Sequence, residues 1–250
     1  MATTTSPMPA PEAPASIGPV GRIIGALFSP KKTFTDIAQK PSWLAPVLVL
    51  TVLSASVCFA INQRIDWREY IRHQMEQSPS AGQLSEEQKQ QRIEGGAKFA
   101  PIMTYVFGIP AGVVIIVVVA GVMLGAYNLV GGAGLNYRTS LGVVSHAYVP
   151  AFISSLLLLL ILYLKPFGTV DLENPVAANL AAFLPEGSSK ALVKLGTSID
   201  VFVFWILFLI GVGFAAAKPK KLTLGKSLSI AVSVYAVFVL IRVGLVFIFS

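Results

Sequence analysis

A few residues in this 250-residue sequence have types and spacings that could do chemistry. His146 stands with Tyr148 and Pro150 inside a long apolar run. An ionisable group there is costly in hydrocarbon, which makes it a candidate for proton or solute traffic. The alternative is a neutral imidazole bonded to a carbonyl freed by the proline or to a neighbouring helix. His146 lacks the H-E-x-x-H context of a zinc protease, and the nearby Ser154 and Ser155 lie in no nucleophile-elbow pattern. Glu69 and His73, four apart, share one helix face and could ligate a metal. With no second histidine nearby, they read as an exposed ion pair. Gly131, Gly132, Ala133 and Gly134 resemble a phosphate loop only superficially, because no Gly-Lys-Ser/Thr follows. The sequence thus offers no catalytic, cofactor-binding or metal site.

Two formal charges remain within the last apolar runs. Asp200 lies 17 residues before Ala217, and Arg242 lies 16 after Lys226. If the two runs are antiparallel helices leaving one turn, these residues reach nearly equal depth. They are then expected to pair, which would lower the cost of each charge and fix one helix against the other.

The elements that must position these groups are apolar throughout. Hydrophobic residues make up 54% of the chain and charged ones 12%, with mean hydropathy +0.72. A soluble domain carries about twice that share of charge. Five long runs begin near Trp43, Phe99, Leu141, Ile199 and Leu228. The first, residues 43–62, rises about 30 Å as a helix, the thickness of bilayer hydrocarbon. The expected fold is an all-α integral membrane bundle of five transmembrane helices, carrying short amphipathic helices at its interfaces. Span two, about residues 99–130, is longer than a bilayer requires, so it is tilted, protruding or bent at Pro110. Its Gly108 with Gly112, and Gly121 with Gly125, are four apart, a spacing that lets helix backbones approach closely in lipid. They serve packing within the bundle or between copies in a homo-oligomer.

Three segments divide the chain. Residues 1–16, rich in Pro, Thr and Ala, read as a disordered tail and not as a secretory signal, so span one serves as its own insertion signal. Residues 17–42 show two short amphipathic elements. Ile17, Val20, Ile23, Ile24, Leu27 and Phe28 recur at helical spacing with Arg22 on the polar side, and Phe34, Ile37 and Ala38 follow. These lie on the bilayer, with Lys31 and Lys32 meeting anionic lipid, or pack on the bundle's own end. Residues 43–250 form the five-span domain.

The connector 63–98 holds six basic and six acidic residues. A helix from Ile65 places Trp67 and Tyr70 at interface depth, and Ser78, Pro79 and Gly82 break it. A second helix opens with the Ser85/Gln88 capping box and ends at Gly95 and Gly96. In the connector 165–197, one short helix starts with Asn174 as cap and Pro175 as first residue, and another covers 189–196. Ala177, Leu180, Ala181 and Leu184 are expected to face the membrane.

Charge sets the orientation. Basic residues tie at nine on each side when Arg242 is left out, but the loop with Lys218, Lys220, Lys221 and Lys226 is short and has no acid. Such loops stay cytoplasmic, which puts the amino terminus inside and Ser250 outside the cytoplasmic (inner) membrane. Lys218, Lys220 and Lys221 are also candidate headgroup contacts. Nucleic acid is not an expected partner, because the basic residues form no stripe with interleaved aromatics.

The stretch RIIGALFSPKKTFTDIAQKPSWLAPVLVL, with Phe28, Pro30, Phe34 and Ile37, resembles the opening of bacterial-type members of the Yip family of Ypt/Rab-GTPase-interacting proteins. SHAYVPAFISSLL and SIDVFVFWILFLIGVGFAAA, the latter before a lysine-rich turn, are similar to that family's third and fourth spans. The resemblance covers roughly residues 20–249. It implies a five-span bundle with a cytoplasmic amino terminus, no enzymatic residue set, and a role in organising membranes or recruiting membrane or cytoplasmic proteins. The competing expectation is a small-solute or ion permease whose path runs past Pro110, Gly112, Asn128, His146 and Tyr148. No matching Gly/Pro interruption in a second half supports such a path.

Overall fold

The structure is a computed structural model that describes residues 16–76, 78, 81–185 and 187–249. The expected tail, apart from Ser16, lies outside the described residues, as does Pro79 in the break after the first connector helix. In chain order the helices are α1 (Pro19–Phe28), α2 (Pro30–Gln39), α3 (Leu44–Arg64), α4 (Trp67–Glu76), α5 (Glu86–Leu129), α6 (Tyr137–Ala147), α7 (Val149–Leu164), α8 (Lys190–Ser198), α9 (Val201–Ala217) and α10 (Leu224–Phe249). Two 3₁₀ turns, Ala81–Gln83 and Leu180–Phe183, sit in the connectors. The described residues form no strand, only an isolated bridge between Asn179 and Asp200.

Among the described residues, four stretches are long and apolar enough to cross a bilayer: Leu44–Arg64, Glu86–Leu129, Tyr137–Leu164 and Leu224–Val246. The remaining run forms α9, which is as apolar but only 17 residues long, about 26 Å. Side chains such as Val52, Phe107 and Leu240 are exposed on the outer faces. An apolar surface of that extent would aggregate in water and is at home in lipid.

The long helices alternate in direction and define two ends. Loops 130–136 and 218–223 join helices at one end, which also carries α1 and α2 and is called here the hairpin end. Arg64, α4, the connector 165–189 and α8 occupy the far end. The main core fills the hairpin end: Ala26, Phe34, Ile37, Ile116, Tyr127, Val143, Leu209 and Phe214 are fully buried there. Tyr127 stacks flat on Phe214, with ring centroids 3.9 Å apart, and its hydroxyl donates to the Ser227 carbonyl at 2.7 Å. The Ser227 hydroxyl donates to the Gly211 carbonyl at 2.7 Å, so α5, α9 and α10 share one buried polar tie. Each polar group in it is satisfied, as a low-dielectric interior demands. A smaller core of Ala60, Ile65, Leu162 and Val170 closes the far end.

Local signals fail at three places. Gly95 and Gly96 do not end a helix; α5 runs unbroken for 44 residues, about 66 Å, from the Ser85 capping box through Pro101 and Pro110. Span two therefore protrudes instead of stopping at the glycines. Tertiary packing explains this, since a Cβ at Gly96 would lie 2.8 Å from Ile71 Cδ1, and the missing side chain is what seats α4 on α5. Span three is two helices that meet at Tyr148, because Pro150 has no N–H to continue the ladder. Asn174 caps no helix; its side chain exchanges hydrogen bonds with that of Asn179, which caps the turn at Leu180.

Candidate functional site

The N-terminal helices form a tight hairpin. Pro19 and Pro30 each begin a helix, where a missing N–H costs nothing, and one residue, Ser29, separates the two. Gly25 meets Thr33, so the helices cross without a side chain between them. Arg22, expected on the polar side, is 6% exposed instead. Its Nε donates to Asp36 Oδ2 at 2.7 Å, and Nη1 donates to the Lys40 carbonyl at 2.9 Å and to Ser42 Oγ at 2.6 Å. Burial is tolerable because an opposite charge and two neutral acceptors meet the rigid guanidinium fork. The Ile17 N–H donates to Asp36 Oδ1 at 3.4 Å.

The hairpin is part of the bundle. Phe34 and Ile37 are fully buried, Phe34 beside Gly213 of α9 and Ile37 beside Gly142 of α6. The two expected environments are therefore divided between the helices: α2 packs inward, whereas α1 keeps an uncovered stripe. Val20, Ile24 and Phe28, spaced i, i+4 and i+8, are 69%, 54% and 80% exposed. Lys31 and Lys32 follow the stripe and are also exposed. An open cleft of about 660 Å³ runs along the polar side of α2 past Lys31, Lys32, Thr35 and Gln39. Across the same end, Lys220 is exposed, whereas Lys221 donates to the Gly132 carbonyl at 2.8 Å and Lys226 to that of Gly131 at 3.2 Å. Those two lysines close the C-terminal end of α5, where cations are favoured.

Asn128 and His146, singled out inside the bundle, hydrogen-bond to different partners. Asn128 clasps the following loop, accepting from the Leu135 N–H at 2.8 Å and donating to its carbonyl at 3.0 Å. His146 is fully buried, with Nδ1 2.9 Å from the Gly142 carbonyl of its own helix. Its partner is thus an ordinary helical carbonyl, neither one freed by Pro150 nor one on a neighbouring helix. Nε2 is buried without a partner. Tyr148 occupies the joint between α6 and α7. In the connector at the far end, Glu69 forms an ion pair with Arg72, and no group of three potential metal ligands occurs among the described residues.

The family model of the Yip1 domain matches residues 24–248. The chain belongs to the Yip1 domain family. No curated protein and no solved structure matches it. The Yip1 match opens at Ile24, inside α1, and so takes in most of the hairpin and all the membrane helices. Membership and four long apolar helices establish a multi-pass membrane protein.

Two further expectations about this Yip1 domain are corrected or divided. Asp200 and Arg242 form no ion pair among the described residues. Asp200 caps α9, accepting from the N–H groups of Phe202 at 2.8 Å and Val203 at 3.1 Å. Arg242 donates to Ser198 Oγ at 3.3 Å, and the Tyr235 hydroxyl donates to the Ser198 carbonyl at 2.8 Å. The two charges converge on one short segment, as equal depth requires, but two orphan N–H groups at the start of α9 take the carboxylate first. The glycine pairs also part company. A Cβ at Gly108 would lie 2.6 Å from Cys58 Sγ and one at Gly112 2.8 Å from Leu50 Cδ2, so this pair packs α5 on α3. Gly121 and Gly125 face nothing within 4 Å.

The Arg22–Asp36 latch escaped sequence reasoning because amphipathic spacing put Arg22 on the outside. One signal was available, since Asp36 is the only acid between residues 17 and 62.

Proposed function

We propose that this Yip1 domain is a non-enzymatic five-span protein of the cytoplasmic membrane whose amino-terminal hairpin organises the inner leaflet and presents a fixed face to partners. On this reading α9 is the fifth span, slightly short and seated where the bilayer thins around it. The lysine-rich loop and the hairpin lie inside, and residue 250 lies outside. The carrying observation is the stripe of Val20, Ile24 and Phe28, uncovered and yet held in one orientation by the buried Arg22 network. A helix in the headgroup boundary displaces lipid on one leaflet only, which bends or orders the membrane around it. Lys31, Lys32, Lys218 and Lys220 supply attraction to anionic headgroups at that level, with Lys221 shared between loop and lipid.

Deleting residues 1–40 would strip Phe34 and Ile37 from the core, so substitutions on the stripe give the cleaner test. Full-length protein is reconstituted into phosphatidylglycerol-containing vesicles and compared with a chain carrying Val20→Ser, Ile24→Ser and Phe28→Ser. The wild type is expected to narrow or tubulate the vesicles, and the variant to leave them spherical. Equal vesicle diameters at equal protein density would overturn the reading. Orientation has its own test in a Cys58→Ser background: cysteines at Ser29 and Thr223 should escape an impermeant thiol reagent in intact cells, and one at Gln91 should react. Labelling at Thr223 without lysis would reverse the topology.

A further inference from the structure

At the far end, the start of α4 lies beside α5, and the loop after α7 reaches the same place, with the Gly168 N–H donating to the Arg64 carbonyl. They line an open cleft of about 440 Å³. Its walls carry Asp66 and Arg68 at the start of α4, Glu94 and Lys98 on α5, and the rings of Trp67 and Phe167. This gives two charges of each sign around one opening, all four residues exposed and none in an ion pair among the described residues. Glu94 and Lys98 stand at i and i+4 in the order that favours a helical ion pair, yet they form none. The Arg68 guanidinium and the Lys98 ammonium have no hydrogen-bond or ion-pair partner among the described residues. Asp66 Oδ1 accepts from the N–H groups of Arg68 and Glu69, which leaves Oδ2 open. Glu94 Oε1 accepts from Gln90 at 2.9 Å and keeps its second oxygen.

The depth of the cleft decides the ligand. Ile65, one residue past the end of α3, lines it, as does Lys98 at the last polar position before the apolar part of α5. Trp67 and Phe167, with Tyr163 and Tyr70 close by in sequence, mark the level at which aromatic rings sit in an interface. Molecules always present at that level are phospholipids. A purely anionic headgroup would meet Asp66 and Glu94 as repulsion. A zwitterionic headgroup satisfies both signs, with its phosphate between Arg68 and Lys98, its ammonium between Asp66 and Glu94, and its cationic end within reach of the Trp67 ring. Of the common zwitterions, only a primary ammonium has N–H groups to donate to two carboxylates; a trimethylammonium has none.

We propose that this cleft is a binding site for the headgroup of phosphatidylethanolamine in the leaflet at the far end. It is independent of the hairpin and of what the hairpin does. The test uses full-length protein purified in mild detergent, mixed with equal amounts of phosphatidylethanolamine, phosphatidylcholine and phosphatidylglycerol, and read by native mass spectrometry. Phosphatidylethanolamine should be retained about tenfold over either competitor, a factor worth about 1.4 kcal/mol. Glu94→Gln combined with Asp66→Asn, which keeps the oxygen that accepts at the start of α4, should abolish that preference and raise phosphatidylglycerol retention. Lys98→Gln should lower retention of all three lipids. Free glycerophosphoethanolamine at the same concentration should not compete, since it lacks the acyl chains that hold the headgroup at this depth. Equal retention of the three lipids by the wild type, an unchanged preference in the carboxylate variant, or full competition by the free headgroup would each overturn the proposal. Unchanged circular dichroism and melting temperature of the variants confirm that retention, not folding, is being read.

Discussion

At the hairpin end, Phe34, Ile37, Tyr127 and Phe214 have no exposed surface, and an arginine is buried with Nε and Nη1 both donating to protein acceptors. At the far end, Phe183 is 84% exposed, and the charges around the α4–α5 cleft remain unpaired. One end behaves like the interior of a domain, dense and with its buried polar groups bonded apart from His146 Nε2. The other is an assembly of short elements, such as the turn at Leu180 and α8, resting on the membrane helices with partly open faces. Stability should accordingly concentrate in the first and adaptability in the second.

The largest test of that contrast is Arg22→Met. It leaves the Asp36 carboxylate largely buried without its cation, which should cost about 3 kcal/mol in detergent unfolding. Adding Asp36→Leu should return most of the loss, because an apolar pair of similar size removes the stranded charge. If the single and double variants lose equally, the latch is not what holds the hairpin.

Glycines sharpen the comparison within the membrane. Gly213 lies against Val143, and a Cβ there would lie 2.9 Å from Phe34 Cδ1, so Gly213→Ala should cost about 2 kcal/mol by overpacking. Gly125 meets nothing, and Gly125→Ala should stabilise by up to about 1 kcal/mol through helix propensity. Thermal melts of the two variants side by side should move in opposite directions.

At the far end the effects should be smaller. Asp200→Ala removes the cap of α9 and should cost about 1 kcal/mol. In a double-mutant cycle with Arg242→Ala, coupling should stay below about 0.5 kcal/mol, since the two side chains serve different partners. Tyr70 gives the smallest effect, visible only in alkali. Burial raises its phenol above the ordinary 10.0, and the carboxylates of Glu173 and Asp171 push it the same way. The fold therefore favours the neutral phenol. Its contribution is fully present below pH 10.0 and is lost as pH rises, because the unfolded chain ionises first. Tyr70→Phe should leave neutral stability nearly unchanged and flatten the decline above that pH in an unfolding series.

What could be read from the sequence was local. The apolar runs became helices, and the Ser85 capping box appears where short-range chemistry puts it. What could not be read depended on partners distant in sequence. Arg22 and Asp36 are 14 residues apart on different helices, and only the turn at Ser29 brings them together. Gly95 and Gly96 carry the usual signal for a helix end, overruled by the seating of Ile71. Equal depth for Asp200 and Arg242 follows from counting residues, but the carboxylate's preference for backbone N–H groups does not. For the glycines, spacing marks both pairs alike, and only the neighbouring helix separates the packed pair from the open one.

The unbroken course of α5 gives the protein a height as well as a footprint. Residues 86–98, about 20 Å of helix braced by α4, rise clear of the apolar segment as a stiff post. With α5 upright in a bilayer, a flat surface approaching that side would meet the end of this extension before it met lipid.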